Sequence, residues 1–452
     1  MNMASLSETA RNIFQHSLQQ CSIAEAFART LRVSSDRQTL TIADHETIGL
    51  GNLTRVRIVA AGKAASPMLS AMLGYLPLPP SCDLDAILIA PERPTSLPSN
   101  VRFFAGGHPL PTQTSFDAAT AALSMLHAIA DGSTDDTLCI FLISGGASAM
   151  MELPLNPSIS LADTVAFHQA LVGSGATIVE MNCLRKHFSA VKGGRLALAA
   201  GQARKISLLV SDVPPAHLDA LASGPALPDT TTVAQAREII DRYKLFERFP
   251  LSIRRFFASP NLPETPKPGE LNSPCWKLLD SDVLALAAQS YAEALGFHAV
   301  IDNGCDDWPY DRAADYLLNR LRELRRSHAR VCLISCGEIA VKLPPVAQPG
   351  ASGGRNQHFV LYAATSLHPA DAPIAILSAG SDGIDGNSTA AGAVLDERSL
   401  QSTSTRSSAL AALEAFDSFT WLRSIRATIV TGPTGQNLRD LRVLLAESSA
   451  NL

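Results

Sequence analysis

Several polar residues and glycines directly follow apolar, strand-like runs in the first half of the sequence. Lys63 follows one run in "AAGKAA", His108 follows a second in "GGHPLPTQTS", and Asp212 ends a third in "LLVSDV". A fourth run leads into "SGGAS", which contains Ser144, Gly145, Gly146 and Ser148. Ligands of open α/β sheets collect at the carboxyl ends of the strands, so these residues are candidates for binding a small molecule.

The chemistry of these residues suits an anion, although each also has a structural interpretation. The glycines of "SGGAS" let backbone N–H groups approach an anion closely, but a tight turn also needs glycine for steric reasons alone. Lys63 could bind a phosphate or be a solvated lysine at the start of a helix. His108 could simply shape a turn beside Pro109. Asp212 could bind Mg²⁺ or cap a helix.

The second half repeats this arrangement. Glu338 ends "LISCGE", and Asp382 and Asp385 lie in "LSAGSDGIDG". The tripeptide Gly-Gly-Arg occurs at 193–195 and again at 353–355, and arginine is the preferred residue for a two-point grip on carboxylate or phosphate. Strand-end carboxylates, a strand-end lysine and two such loops suit phosphoryl transfer, which depends mainly on positioning and charge neutralisation.

A basic cluster lies in "KHFSAVKGGR", which contains Lys186, His187, Lys192 and Arg195. It could serve nucleic acid or a small anion, or be a solvated basic helix start. The chain as a whole has a formal net charge of -5, which argues against nucleic acid or an anionic membrane as the main partner. We therefore expect the cluster to bind a small anion.

The elements that position these residues follow an α/β pattern. Strand-like runs occur at 56–62, 137–144 and 374–380, among others, and most of these runs are apolar throughout rather than alternating, which indicates parallel strands buried on both faces. Helical patterns alternate with them, and the pattern at 436–447 is also interpreted as a helix. The Pro-rich, polar segment 259–274 is the best candidate for a linker, dividing domain 1–258 from domain 275–452.

Composition indicates a soluble, cytoplasmic protein. A chain of 452 residues is too long for one ordinary core, and 46% of its residues are hydrophobic. Its eight cysteines are scattered without a CxxC pair, which is typical of free thiols in a reducing compartment. The amphipathic N-terminus does not have the pattern of a signal peptide, and we expect no membrane span.

The order and spacing of the motifs resemble the glycerate 2-kinase family with a MOFRL domain, many of whose members have been labelled hydroxypyruvate reductases. The similarity covers most of the chain, from "GKAA" to "TGPT". It includes "LVGSGATIVEMNCLRKHFSAVKGGRLA", "ASGPALPDTTT", "GGRNQ" and "SDGIDG". The family pattern differs at Ala147, where it has a third glycine, and at His358, where it has glutamate.

The resemblance implies ATP- and Mg²⁺-dependent phosphorylation of D-glycerate, or a similar short 2-hydroxy acid, to 2-phosphoglycerate in a cleft between domains. It implies a larger N-terminal Rossmann-like parallel-sheet domain and a smaller C-terminal MOFRL-type α/β domain. The partners are then a hydroxy acid and a nucleotide, and a homodimer is one option for assembly. The alternatives are a hydroxypyruvate reductase, disfavoured because GxGxxG is absent, and a non-catalytic small-anion-binding protein.

Site residues carry over by position. Lys63 and Arg355 look like the family's catalytic or phosphate-binding pair, and Asp212 joins them. The positions that resemble substrate and phosphate ligands are Ser144, Gly145, Gly146, Ser148, His108, Lys192, Arg195 and the Arg185-Lys186-His187 run. Those that resemble nucleotide ligands are Gly337, Glu338, Gly353, Gly354 and Asn356. Those that resemble metal ligands are Asp212 and Asp382.

Overall fold

Most of the apolar runs form strands, and the segments between them form helices. The computed structural model describes residues 5–130, 136–343 and 350–448. The strands are β1 (Leu31–Val33), β2 (Thr39–Ile42), β3 (Glu46–Gly49), β4 (Arg55–Ala61), β5 (Asp83–Ala90), β6 (Val101–Ala105), β7 (Thr137–Ser144), β8 (Arg204–Val210), β9 (Cys275–Leu279), β10 (His298–Ile301), β11 (Arg330–Gly337), β12 (Ile374–Gly380), β13 (Gly392–Asp396), β14 (Thr428–Ile429) and β15 (Asp440–Glu447). The α-helices are α1 (Leu6–Gln20), α2 (Ile23–Thr30), α3 (Ala65–Gly74), α4 (Gln113–Ala130), α5 (Ala147–Met150), α6 (Leu161–Val172), α7 (Ile178–Phe188), α8 (Arg195–Leu198), α9 (Val233–Arg242), α10 (Leu251–Ala258), α11 (Ser281–Ala294), α12 (Tyr310–Arg325), α13 (Arg355–Thr365), α14 (Thr403–Glu414) and α15 (Ser418–Ser424).

The chain divides into two compact units. The N-terminal unit is Ala26–Leu278, and the C-terminal unit combines the described parts of 1–25 and 279–452. This division differs from the predicted bounds because α1 packs against α11, β12 and β15, where Ile13 and Phe14 are fully buried. An amphipathic helix buries its apolar face wherever a matching surface exists, whatever the sequence distance.

The segment predicted as a linker, 259–274, is part of the N-terminal unit. Thr265 is buried, and its hydroxyl donates to Asp229 Oδ2 at 2.9 Å. Backbone carbonyls of Pro263 and Glu264 accept from Arg195 Nη2 at 3.1 and 3.3 Å. The polar and Pro-rich composition thus reflects an extended segment held by side chains rather than a flexible connection.

The N-terminal unit is built on a six-stranded sheet in the order β6-β5-β4-β7-β8-β9. The pairs from β6 to β8 are all parallel, as the continuous apolar runs predict. Every residue of β7 is buried. A separate three-stranded antiparallel sheet, β1-β2-β3, precedes it. Parallel strands place β4, β6, β7 and β8 with their carboxyl ends at one edge.

The sheet of the C-terminal unit has the order β10-β11-β15-β12-β13-β14. Only its β10–β11 pair is parallel among the pairings of the described strands. The interpretation of 436–447 as a helix is wrong, because β15 lies at the centre of this sheet between β11 and β12. Its apolar run from Val443 to Ala446 is short, and periodicity cannot distinguish a short buried strand from a helix segment.

All eight cysteines are free, and six of them are buried. Within the described ranges, we find no helix that combines the length and apolar character needed to span a membrane.

Candidate active site

Two strand ends of the N-terminal unit are joined directly by hydrogen bonds. The backbone N–H of Lys63, after β4, donates to the carbonyl of Gly145, after β7, at 2.9 Å. The N–H of Ala64 donates to Ser144 Oγ at 3.0 Å. Neighbouring parallel strands bring these turns together, so Lys63 lies beside the "SGGAS" turn.

Gly145 and Gly146 leave the centre of this site without side-chain bulk. A Cβ built on Gly145 would overlap the carboxylate of Asp212, which follows β8. A Cβ on Gly146, whose φ is +87°, would lie 3.3 Å from Lys63 Cγ and 3.4 Å from His108 Cδ2. The two glycines therefore allow Lys63, His108 and Asp212 to approach the same short stretch of backbone. We call these five residues the glycine-turn site.

The electrostatics of the glycine-turn site favour an anion. Lys63 is exposed, whereas Asp212 is half-buried. Burial and the positive charge of Lys63 both lower the pKa of His108, so the imidazole is neutral at physiological pH. A neutral imidazole can accept a proton or a hydrogen bond, and the ammonium beside it can attract a phosphate or carboxylate.

Most of the basic cluster, which the sequence predicts to bind a small anion, is paired with carboxylates inside the protein. Lys192 is 1% exposed, and its ammonium donates to the buried Glu152. Lys186 Nζ donates to Asp219 at 2.7 Å and to Asp229 at 3.1 Å. Buried cations need such partners, because an unpaired charge in the interior is costly.

Arg195 is also used internally. Its guanidinium donates to the carbonyl of Lys186 at 2.6 Å and to that of Ser189 at 3.3 Å, in addition to the carbonyls of 263 and 264. Burial lowers its pKa to about 10, which still leaves it charged. Arg195 therefore fastens the "KGGR" loop to its surroundings, which is a structural role.

Ser148, in contrast to Arg195, is not part of this loop. It lies in the turn helix α5 and shares a hydrogen bond with Ser223 at 3.0 Å.

The C-terminal unit holds Arg355 by two carboxylates. Arg355 Nε donates to Asp440 Oδ2 at 2.6 Å, and Nη1 donates to Glu338 Oε2 at 2.9 Å. Asp440 is the first residue of β15 and is paired in register with Gly337 on one side and Gly380 on the other. Arg355 is thus fixed above the ends of β11 and β12 with 35% of its side chain exposed. Sequence reasoning missed Asp440, because 436–447 was interpreted as a helix.

The ion pair between Asp306 and Arg439 fixes the backbone at Glu338. The N–H of Glu338 donates to Asp306 Oδ1 at 2.9 Å. Arg439 Nη1 and Nη2 donate to Oδ2 and Oδ1 of the same carboxylate at 2.6 and 2.8 Å. Burial raises the pKa of Glu338, although Arg355 opposes this change. Gly337 leaves room for Asp306, because a Cβ at this position would lie 2.5 Å from Asp306 Oδ1. Glu338 therefore serves Arg355 directly.

Asp385 and Asn356 order the start of α13 rather than a ligand. Asp385 accepts the N–H groups of Asn356 and Gln357 at 3.1 and 2.9 Å, capping the helix that begins at Arg355. Asn356 is 1% exposed and accepts from Ser378 at 2.5 Å. The side chain of Asn356, a residue predicted to bind a nucleotide, is therefore buried and hydrogen-bonded within the unit.

A cavity of about 710 Å³ lies beside Arg355 in the C-terminal unit. Gly353 and Gly354 line it, together with Arg355, His358, Asp382 and the ring of Phe416. Leu343 and Ile384 also line it and are 62% and 51% exposed. Small-molecule sites typically have a few hundred to 1,000 Å³ and mix apolar walls with a few polar groups. This cavity has both properties.

The candidate metal ligands do not form a cluster of three or more among the described residues. Asp382 is half-buried after β12, and its Oδ1 accepts the N–H of Ile384 at 3.0 Å. Across the residues that the structure describes, no group of three or more His, Cys, Asp and Glu side chains gathers in an arrangement suited to a metal ion.

Comparison with known proteins places the chain in a family. Residues 9–258 match the family model described as a domain of unknown function, DUF4147, and residues 331–440 match the MOFRL family. The chain is 35% identical to an Agrobacterium vitis protein named as a candidate hydroxypyruvate reductase, with 76% of each covered. It is 32% identical to the D-glycerate 2-kinase of Thermotoga maritima, with 78% of this chain and 81% of that protein covered. The chain belongs to the glycerate 2-kinase family with a MOFRL domain.

A solved structure supports the same assignment. The crystal structure of a glycerate kinase from Thermotoga maritima superposes with a TM-score of 0.81 at 29% identity, covering 98% of this chain and 99% of that one. The two-unit α/β architecture of this glycerate 2-kinase family member therefore agrees with the fold expected from its motifs.

Two residues at which this family member departs from the family pattern have clear surroundings. Ala147 begins α5 in helical conformation, so the Cβ that replaces a glycine causes no backbone strain. His358 is 3% exposed and stacks on Phe416, with ring centroids 4.8 Å apart. Burial lowers the pKa of His358 to about 4, so a neutral ring stands where the pattern has glutamate.

Proposed function

We propose that this protein phosphorylates the 2-hydroxyl of D-glycerate with ATP. The proposal rests on one observation above all: the exposed Lys63 lies against a bare Gly145-Gly146 turn in a chain that is 32% identical to a D-glycerate 2-kinase. Kinase catalysis consists mostly of holding the transferred group and neutralising its charge, and the glycine-turn site offers both an exposed cation and backbone without side-chain bulk.

In the N-terminal unit, the glycine-turn site takes the hydroxy acid and the phosphoryl group moving to it. Lys63 neutralises charge on that group, and the glycine backbone lets it approach. Asp212 or the neutral His108 accepts the proton of the attacking hydroxyl. Both side chains approach the glycine turn, which is the geometry that such a role requires.

In the C-terminal unit, the cavity beside Arg355 takes the nucleotide. Its apolar residues suit a base, and Arg355, which is paired with two carboxylates but partly exposed, can donate hydrogen bonds to phosphates. Asp440 and Glu338 hold the guanidinium in one orientation, so little reorganisation is needed when phosphates bind.

Magnesium is part of the proposal. Asp212 and Asp382 offer carboxylate oxygens, the ligand type that Mg²⁺ prefers, and proteins usually hold this ion by one or two carboxylates together with substrate phosphates. When bound, the ion neutralises charge on the phosphate oxygens. We also propose a cytoplasmic location, which the eight free cysteines support.

Oxidoreduction of hydroxypyruvate is the second candidate, because the Agrobacterium vitis relative carries that name. The GxGxxG dinucleotide fingerprint is absent from the sequence, which disfavours it. Incubation with hydroxypyruvate and NADH distinguishes the two functions. Only a reductase oxidises NADH, and its activity is measured as a fall in NADH absorbance.

The decisive experiment is an ADP-release assay with Mg-ATP and a panel of short hydroxy acids, D-glycerate first. We expect turnover of D-glycerate and loss of at least about 99% of it in both Lys63→Ala and Arg355→Ala, since removing one preorganised charge-stabilising group costs about 100-fold or more. Circular dichroism checks that both variants are folded. Full activity in either variant contradicts the role assigned to that residue. If the wild type releases no ADP with any acid of the panel, the kinase proposal is contradicted.

A further inference from the structure

Arg185 lies beside the basic cluster, and the hydrogen-bonding capacity of its guanidinium is only partly used. It lies in the last turn of α7, next to Lys186. Its Nη1 donates to Asn182 Oδ1 at 3.2 Å, whereas its Nε is buried with no hydrogen-bond partner. In the described part of the chain, Arg185 forms no ion pair, in contrast to Lys186 and Lys192.

Among the described residues, no carboxylate is paired with Arg185 itself. Arg185 and Lys192 both interact with Glu152, but only Lys192 forms an ion pair with it. His168 also contacts Glu152, but burial lowers the pKa of His168, so the ring adds no positive charge at neutral pH. The carboxylates of Asp219 and Asp229 are paired with Lys186. A half-buried guanidinium with an unsatisfied nitrogen is costly, and a bound anion that accepts from it removes that cost.

A chain of hydrogen bonds connects Arg185 to the glycine turn. Asn182 Oδ1 accepts from Arg185 and also from Ser223 Oγ, the latter at 3.2 Å. Ser223 Oγ in turn shares a hydrogen bond with Ser148, two residues after Gly146, at 3.0 Å. Arg185 thus lies within the same unit and the same polar network as the predicted substrate position.

The backbone at Ser223 is strained in a way that holds this network in place. Ala222 and Ser223 have φ of +52° and +58°, values that non-glycine residues rarely adopt. The carbonyl of Ser223 accepts the N–H of Gly193 at 3.0 Å, which fixes the strained turn to the "KGGR" loop. Such strain persists where the surrounding structure imposes it, and it is concentrated at functional sites.

We propose that Arg185, and not Arg195, binds the carboxylate of the hydroxy acid. This inference deepens the proposed function and rests on it. A guanidinium presents parallel N–H donors that match the two oxygens of a carboxylate. Arg195 is unsuited to this role, because both of its terminal nitrogens already donate to four backbone carbonyls.

The test compares Arg185→Met with Arg185→Lys and with a control, Arg242→Met. Arg242 pairs with Glu180 at the other end of α7 and is 60% exposed, so it reports the effect of losing an arginine near this helix. We expect Arg185→Met to raise the KM for D-glycerate about 10- to 100-fold while the KM for ATP stays within about twofold, because a hydrogen bond to a charged group contributes that much. Arg185→Lys should recover part of the loss, and Arg242→Met should change neither constant.

An unchanged KM for D-glycerate in a folded Arg185→Met protein overturns the proposal. If that variant does not fold, Arg185→Lys decides, since a KM within twofold of the wild type refutes a two-point grip. If the wild type phosphorylates no acid, the kinase proposal fails separately, and calorimetric titration with D-glycerate tests Arg185 alone. Binding by the wild type that Arg185→Met loses supports the proposal; equal binding by both, or none by the wild type, overturns it.

Discussion

Lys63 and Lys192 are both lysines next to glycine, yet they occupy opposite environments. Lys63 is exposed beside the bare turn at Gly146, whereas Lys192 is 1% exposed and bound to Glu152. The sequence could indicate that both carry charge near a glycine loop. It could not reveal Glu152, 40 residues away from Lys192, because a buried counter-ion is set by tertiary packing. Charge available to a ligand is the charge left after such internal pairing.

His358 gives a pH-dependent prediction at the residue scale. Its folded pKa is about 4, whereas an unperturbed histidine titrates near 6.5. Above pH 6.5 the ring is neutral in both the folded and the unfolded state and contributes no pH dependence. As the pH falls from 6.5 towards 4, the unfolded chain binds a proton that the folded chain does not, so the free energy of unfolding decreases. At pH 5 this decrease is about 2 kcal/mol.

Replacing the histidine should remove that contribution. Between pH 7 and pH 5, we expect the free energy of unfolding of His358→Phe to fall by about 2 kcal/mol less than that of the wild type. Urea denaturation at both pH values measures this difference. Phe416 and Tyr310 flank the ring and should accept phenylalanine. His45→Phe, at an exposed position, is the control and should follow the wild type. Equal pH dependence of His358→Phe and wild type would show that His358 is not held neutral.

At the scale of elements, the parallel sheet was predictable and the C-terminal sheet was only partly so. β4, β7 and β8 are long apolar runs, which leaves few alternatives to buried strands. β15 is different, because its centre is a short apolar run preceded by the polar "QNLRD" segment and can be matched to either period. Because 436–447 was interpreted as a helix, Asp440 was not recognised as the carboxylate that holds Arg355 in place.

The start of α13 provides the prediction at this scale. Asp385 accepts two backbone N–H groups at the helix N-terminus and the side-chain amides of Asn356 and Gln357. Asp385→Ala should lower the free energy of unfolding by about 2–4 kcal/mol, because a cap is lost and buried donors are left unpaired. It should also reduce phosphoryl transfer, since Arg355 is the first residue of that helix.

Ser402→Ala supplies the matched control. Ser402 caps α14 by accepting the N–H of Thr405 at 3.0 Å, at an exposed position away from Arg355. Its loss should cost about 1 kcal/mol and leave turnover unchanged. If Asp385→Ala proves no more harmful than Ser402→Ala in urea denaturation and in the ADP-release assay, Asp385 does not organise the site.

At the scale of the whole molecule, the presence of two domains follows from length, but their membership does not. Residues 6–20 have the amphipathic pattern of a helix, and the sequence gives no indication of which apolar surface covers that helix. In the structure, α1 completes the C-terminal unit although it is separated from the rest of that unit by more than two hundred and fifty residues. The first and last parts of the chain therefore depend on each other for their burial.

Phe14 and Phe27 allow this division to be tested, because both are fully buried and belong to different units. Removing a buried phenylalanine side chain costs about 3–5 kcal/mol. We expect Phe14→Ala to accelerate hydrogen exchange in β11, β12 and β15 while β4 and β7 stay protected, since α1 packs on the C-terminal sheet. Phe27→Ala should give the reverse pattern, and each variant serves as the control for the other. Equal acceleration in both sheets by either variant would mean that the two units lose their structure together, so that α1 could not be assigned to one of them.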